Sequence, residues 1–293
     1  MKNSVNKRIQ EHLIDEFHRL ELWLKYDLLI YTGPLVDGIE NDFREIVEDL
    51  ANDIGLEGFN KDRLCIMLTT PGGSAHVVER MVNIIRYWYK EVNFIIPDYA
   101  YSAGTIFCMS GDNIYMDFYS VLGPIDPQVR NKEGMLVPAM GYLDKINELL
   151  EKSQNNTLTD AEFIMLKDFD LAELRGYEQA RDLSIDLLKQ WLVKYKFKNW
   201  TKHSNTNPGS YVTPEEKMNR AEKIATDLSN NSLWKSHGRP INIDTLENQL
   251  RLKIIDYSND KELREYIHSY HSLSADYIRR NDIKLFIQTR KYI

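Results

Sequence analysis

Apolar residues recur at helical spacing near the start of the chain. Ile9, Leu13, Phe17, Leu20 and Leu24 share one face, which predicts an amphipathic helix over about residues 5–26. The run LLIYT that follows reads as a strand. The same periodicity predicts a helix over 37–52, a buried strand over 63–69, and a helix over 74–90 with the stripe Val77, Val78, Met81, Ile84, Ile85 and Trp88. VNFIIP reads as the next strand, a short helix starts near Ser102, and NIYMD reads as a further strand. Alternating β and α elements of this length imply an α/β fold, a largely parallel sheet with helices packed over it and right-handed crossovers.

The pattern then changes. Over 142–198 no strand signal is present, and Ile146, Leu149 and Leu150, then Phe163, Leu166, Leu171, Leu174, Leu183, Leu187, Leu188 and Leu192, fall at helical spacings. The segment KHSNTNPGSYVTPEE reads as a polar loop. Thr213 is the expected N-cap of the next helix, with Pro214 at its first position and Glu216 completing a capping box. Further helices are expected over 244–252 and 263–270, and the chain holds no repeat or low-complexity run. The pattern divides the chain into an N-terminal helix (1–26), a core (27–141), a helical insertion with its loop (142–212), and a part that completes the core and ends in a helical tail (213–293).

Charge removes some partners. The net charge of -7 is spread along 293 residues, which gives no broad footprint for nucleic acid or an anionic membrane. No stretch approaches the roughly 20 apolar residues of a spanning helix, and the polar N-terminus lacks the apolar core of a signal peptide. Cys65 and Cys108 sit in apolar surroundings and read as buried free thiols, which suits a reducing cytoplasm. Neither metal-ligand spacing nor GxxxxGK[ST] occurs, so the expected chemistry needs no cofactor, and any unfoldase or chaperone would be a separate partner.

The candidate chemistry lies at two glycine-containing junctions, TTPGGSA and YAYSAGT, each following a buried strand and opening a helix. In a parallel sheet such junctions lie at the carboxyl ends of strands, where ligands bind. Gly72 and Gly73 allow a sharp turn with amides pointing outward, and Ser102 sits on a strand-to-helix turn with the Ala103 N–H beside it. Taken singly, PGG also reads as an ordinary tight turn and Ser102 as a helix N-cap.

Together, the motifs TPGG, SAGT and SVLGPIDPQ in the stretch 64–128 closely resemble the serine dehydrogenase proteinase family. This is a branch of the Clp-protease/crotonase-like superfamily related to signal peptide peptidases. A looser similarity extends over 28–256, with SHGRPI as a second anchor. The resemblance implies a serine peptidase of the Clp-protease/crotonase-like fold, in which Ser102 attacks the scissile carbonyl of a peptide or protein substrate. Backbone amides of Gly73 and Ala103 would hold the oxyanion. It also implies a homo-oligomer, with the helical stretch 142–198 as an expected contact.

The general base stays open at this point. Where the Clp protease has its histidine, GPIDPQ places Asp126. His237 in SHGRPI is one candidate, with Asp126 orienting it; Lys145 is another, placed as in serine–lysine peptidases related to signal peptide peptidase. Lys132 and Lys152 are further alternatives. Each has an ordinary structural reading, and for Asp126 that is an Asx bond holding the GPIDP turn. His76 reads as a helix-surface residue. Two other functions share the architecture: a crotonase-type acyl-CoA enzyme, against which the serine of SAGT argues, and a non-catalytic assembly module.

Overall fold

The computed structural model describes residues 2–55, 57–130, 134–203 and 208–293. Its first half alternates helix and strand: α1 (Lys2–Leu24), β1 (Tyr26–Thr32), α2 (Ile39–Asn52), β2 (Asn60–Thr69), α3 (Ala75–Trp88), β3 (Glu91–Ile96), β4 (Tyr99–Ala100), α4 (Ala103–Met109), β5 (Asn113–Met116) and β6 (Val121–Leu122). A hairpin of β7 (Gln128–Arg130) and β8 (Leu136–Pro138) leads into α5 (Ala139–Gln154), α6 (Asp160–Lys167) and α7 (Leu171–Trp191). The last of these runs on into a π-helical turn, Leu192–Lys196. Then follow α8 (Pro214–Leu228), α9 (Asn231–Trp234), α10 (Ile243–Asn248), β9 (Ile255–Asp256), α11 (Lys261–Asn281) and β10 (Phe286–Gln288).

The main sheet has six strands in the order β10-β1-β2-β3-β5-β9, parallel except at β10. Its central strands are almost continuously apolar because both faces are covered. Alternation still sorts their side chains: Leu64, Ile66 and Leu68 of β2 enter one core, while Cys65 and Met67 enter the other. The first core is closed by Phe43 of α2, Met81 of α3, Phe107 of α4, Leu188 of α7 and Ile224 of α8. The second is closed by Leu13 and Phe17 of α1 with Ile267 and Tyr270 of α11. Cys65 and Cys108 are buried free thiols, and burial pushes both far above the usual thiol range.

The helix starting at Pro214 carries the expected capping box, with Thr213 accepting from the Glu216 N–H and Glu216 accepting from the Thr213 N–H. The helix expected over 244–252 stops at Asn248. Beyond it Leu250, Leu252 and Ile254 are buried while Arg251 and Lys253 are exposed, the period of two that suits an extended segment entering β9. The helix expected over 263–270 is longer, starting after the Asp260 cap, whose side chain accepts from Leu263 N, and ending at Asp282 in the left-handed region.

At the amino ends of β1 and β2, a buried charge cluster ties the chain together. The fully buried Asp27 of β1 accepts hydrogen bonds from Lys61 Nζ at 2.9 and 2.8 Å, from the Tyr89 hydroxyl at 2.8 Å and from Arg290 Nη2 at 2.6 Å. Arg290 also pairs with Glu21 of α1 at 2.9 Å and with Asp53 at 3.4 Å.

Candidate active site

Three neighbouring strand ends build the site. After β1, Leu35 bridges Gly73: Leu35 N donates to Gly72 O at 2.9 Å and Ser74 N donates to Leu35 O at 2.8 Å. After β2, Thr70 N donates to Tyr99 O and Tyr101 N donates to Thr70 O, both at 3.0 Å, so the PGG loop is tied to the segment leading into Ser102. A Cβ on Gly72 would lie 2.7 Å from Tyr101 O and 2.8 Å from Ser102 Cβ, at a φ of +100°. Only glycine lets the loop come this close to the serine. At Gly73 a Cβ would lie 2.0 Å from Leu35 O.

Ser102 itself has φ 53° and ψ -118°, outside the conformations L residues prefer, and it precedes the first residue of α4. Its side chain makes no capping bond, and its hydroxyl has no hydrogen-bond partner among the described residues. The serine is 5 % exposed. The turn thus holds a hydroxyl out of the helix cap and toward the strand ends, the geometry of a nucleophile elbow. The amides of Gly73 and Ala103 donate to no acceptor among the described residues, and the Ala103 nitrogen lies only 3.3 Å from the position of a Gly72 Cβ. Two unspent amide donors beside a strained serine can receive a developing oxyanion.

The serine turn is locked from behind by a residue that sequence reasoning did not single out. The Thr105 hydroxyl lies 2.9 Å from Ala100 O and 2.8 Å from Gly123 O, and it accepts from Gly123 N at 3.1 Å. The final threonine of SAGT is the only sequence signal for this link. Gly123 must be glycine, because a Cβ there would lie 2.3 Å from the Tyr101 ring.

Thr105 thereby fastens the GPIDP loop to α4, and other bonds fasten that loop to the C-terminal part of the chain. Leu122 exchanges backbone bonds of 2.9 Å with Ile241, and Ile125 N donates to Leu228 O at 2.9 Å. Asp126 follows and is buried, accepting from Met140 N at 3.0 Å. Its carboxyl is raised above the ordinary aspartate value by burial, while the Met140 N–H and the nearby His237 pull it down and Asp144 pushes it up. His237 is half-buried in the loop before Ile241, and its Nδ1 is buried with no hydrogen-bond partner among the described residues. No hydrogen bond joins His237 to Ser102.

The lysines stand elsewhere. Lys145 on α5 is half-exposed and pairs with Glu148 at 2.9 Å. Lys152 bridges Glu148 at 3.0 Å and Glu162 at 2.6 Å, and hydrogen bonds to those carboxylates raise its pKa, opposite to what a base requires. Lys132 lies outside the described residues. His76 is exposed on α3, as expected of a helix-surface residue. The structure therefore brings together Gly73, Ser102 and Ala103, puts Asp126 within electrostatic reach of His237, and leaves Lys145 and Lys152 in salt bridges on the helical insertion.

The described residues contain no group of His, Cys, Asp and Glu able to hold a metal ion. Among them no helix is long and apolar enough to cross a membrane.

A parallel sheet that presents a strained serine and a glycine loop at adjacent strand ends defines a ClpP-like fold with the layout of a serine hydrolase. The chain belongs to the ClpP-like SDH-type serine proteinase family, whose profile matches residues 58–214. It is similar to two uncharacterized proteins of Methanocaldococcus jannaschii. One is 32% identical over 158 residues, covering 53% of this chain and 48% of the relative. The other is 36% identical over 236 residues, covering 79% of this chain and 72% of the relative. The chain thus spans about half the length of the first and nearly three quarters of the second. Among solved structures, a serine-to-alanine mutant of the membrane-bound stomatin-specific protease 1510-N aligns with a TM-score of 0.45 at 13% identity, over 82% of this chain and 83% of that one.

Proposed function

We propose that the protein is a serine peptidase that hydrolyses peptide bonds through an acyl-enzyme on Ser102. The observation that carries this reading is the pair of unspent amides, Gly73 and Ala103, beside a buried serine held at positive φ. In the first half-reaction Ser102 Oγ bonds to the scissile carbonyl carbon while its proton passes to a base. The carbonyl oxygen becomes an oxyanion in the two amides, and the amine leaves with a proton returned by the base. Water then repeats the sequence on the ester and releases the carboxylate product.

His237 is the base this reading favours, with Asp126 as the group that orients it. His237 lies close enough for its charge to lower the Asp126 pKa, and its buried Nδ1 lacks a partner that the carboxylate can supply. In free enzymes catalytic hydrogen bonds are commonly long and tighten in the substrate complex. Lys145 is less suited, because its amine is half-exposed and engaged by Glu148. A homo-oligomer acting in the cytoplasm on a peptide or protein substrate completes the proposal.

The test is labelling with a fluorophosphonate on wild type, Ser102→Ala, His237→Ala and Lys145→Ala, each checked for folding, with mass mapping of the adduct. The expected result is an adduct on Ser102, abolished in Ser102→Ala, reduced about a hundredfold or more in His237→Ala and unchanged in Lys145→Ala. The reverse pattern for the last two would make the protein a serine–lysine hydrolase. No adduct on folded wild type would overturn the hydrolase reading in favour of a non-catalytic assembly module.

A further inference from the structure

The sheet has a second opening, at the other end of its strands from Ser102. A cleft of about 770 Å³ begins at the first residue of β3, Glu91, and the first of β5, Asn113, and is walled by the π-helical turn and the residues that follow it to Trp200. Single turns of π-helix are rare and concentrate at functional sites. In a chain of net charge -7, six lysine and arginine side chains line this cleft against three carboxylates.

Each of those carboxylates is already committed. Glu91 pairs with Arg63 at 3.0 Å, Asp112 with Arg86 at 2.8 Å and also with Lys198, and Glu216 with His203 at 3.2 Å while closing its capping box. Of the cations, Lys223 is held by Asp227 at 3.3 Å, and Arg220 donates to Leu250 O at 2.5 Å. Lys196, Arg251 and Lys253 make no close ion pair and no hydrogen bond among the described residues. They also crowd like charges: Lys253 repels Lys196 and Arg251 repels Arg220. Burial first, then Lys253, push the Lys196 amine down to about 8, against the attraction of Asp112 and Cys108. Such crowding is relieved by an anion held between the cations.

The cleft is far larger than a single inorganic anion needs and lies within the usual range of organic ligand sites, about 300–1,000 Å³. One wall is aromatic: the half-buried Trp200 ring packs edge-on against Phe197 at 5.5 Å and His203 at 5.7 Å. We propose that this cleft binds a nucleotide-sized organic polyanion, its phosphate groups on Lys196, Arg251 and Lys253 and its planar part against Trp200, at a site separate from Ser102.

Isothermal titration calorimetry of the full chain with ADP, inorganic pyrophosphate and adenosine tests this. The expected order is ADP binding at least tenfold tighter than pyrophosphate, with adenosine giving no measurable heat. R251A/K253A, at two exposed positions and checked for folding, is expected to weaken ADP binding at least tenfold, whereas Ser102→Ala leaves it unchanged. Raising the salt is expected to weaken ADP binding in wild type. Pyrophosphate binding as tightly as ADP would remove the planar part of the ligand from the proposal. Absence of ADP and pyrophosphate binding at millimolar concentration, or undiminished binding by folded R251A/K253A, would overturn it.

Discussion

At Ser102 the chain accepts a backbone conformation that costs about 1–3 kcal/mol, and the two glycines of the preceding loop allow the surroundings to close on it. This much follows from residue type: SAGT and TPGG are short, and each glycine has a steric reason to be there. The base is a different matter. Leu143, Ile146 and Leu149 form the buried stripe of α5, which turns Lys145 outward toward Glu148. A count of residues from the serine does not reveal that rotation, whereas the apolar stripe of the same helix does. Asp126 and His237 are 111 positions apart in the numbering of the chain, so only the folded loops bring them together. Asp126→Asn tests the pair. The amide oxygen of asparagine can still accept from Met140 N, so the fold is retained. Because the folded pKa of Asp126 is raised, wild type loses stability as the pH rises from the ordinary aspartate value through that raised value, and the asparagine variant does not. The variant is therefore expected to equal wild type in chemical denaturation near pH 3 and to be at least as stable at pH 7. Its rate of fluorophosphonate labelling is expected to fall about tenfold or more through loss of the carboxylate that orients His237. A variant that labels at the wild-type rate would reduce Asp126 to a turn-holding residue.

Elements long enough to show a period were legible: α1, α2, α3, β2 and β3 lie close to where their apolar stripes put them, and the Thr213 cap starts α8 at the expected residue. The short pieces were not. β4, β6 and β9 have two residues each and β10 has three, too few for any alternation to register, and their place is set by neighbouring strands. Yet these short pieces position the site. β4 and β6 pair in parallel, and Thr105 on α4 bonds to the residues that follow or end them, Gly123 and Ala100. Thr105→Val keeps the volume and removes the hydroxyl, leaving buried backbone groups short of a partner at a cost of about 1–3 kcal/mol. The expected outcome is a lower melting temperature together with slower labelling of Ser102, since the serine turn loses its tie to the GPIDP loop. Unchanged labelling in a destabilised variant would mean that the tie serves stability alone.

Across the whole molecule, the second core exists only when α1 and α11 are both in place on the sheet, and Arg290 couples β1, α1 and the segment after β10 through Asp27 and Glu21. Removing one member of a buried ion pair strands the other charges, so Arg290→Met is expected to destabilise by about 3–5 kcal/mol in urea denaturation. A loss under about 1 kcal/mol would show that water reaches Asp27 and screens it. The coupling spans most of the chain, and it bears on how the protein is made. During translation β1, β2 and β3 are complete long before α11, so Leu28, Ile30, Cys65 and Met67 have only α1 over them until Ile267 and Tyr270 have left the ribosome. A nascent chain at that stage shows one sheet face partly bare, and this apolar surface favours aggregation whenever completion of α11 is slow.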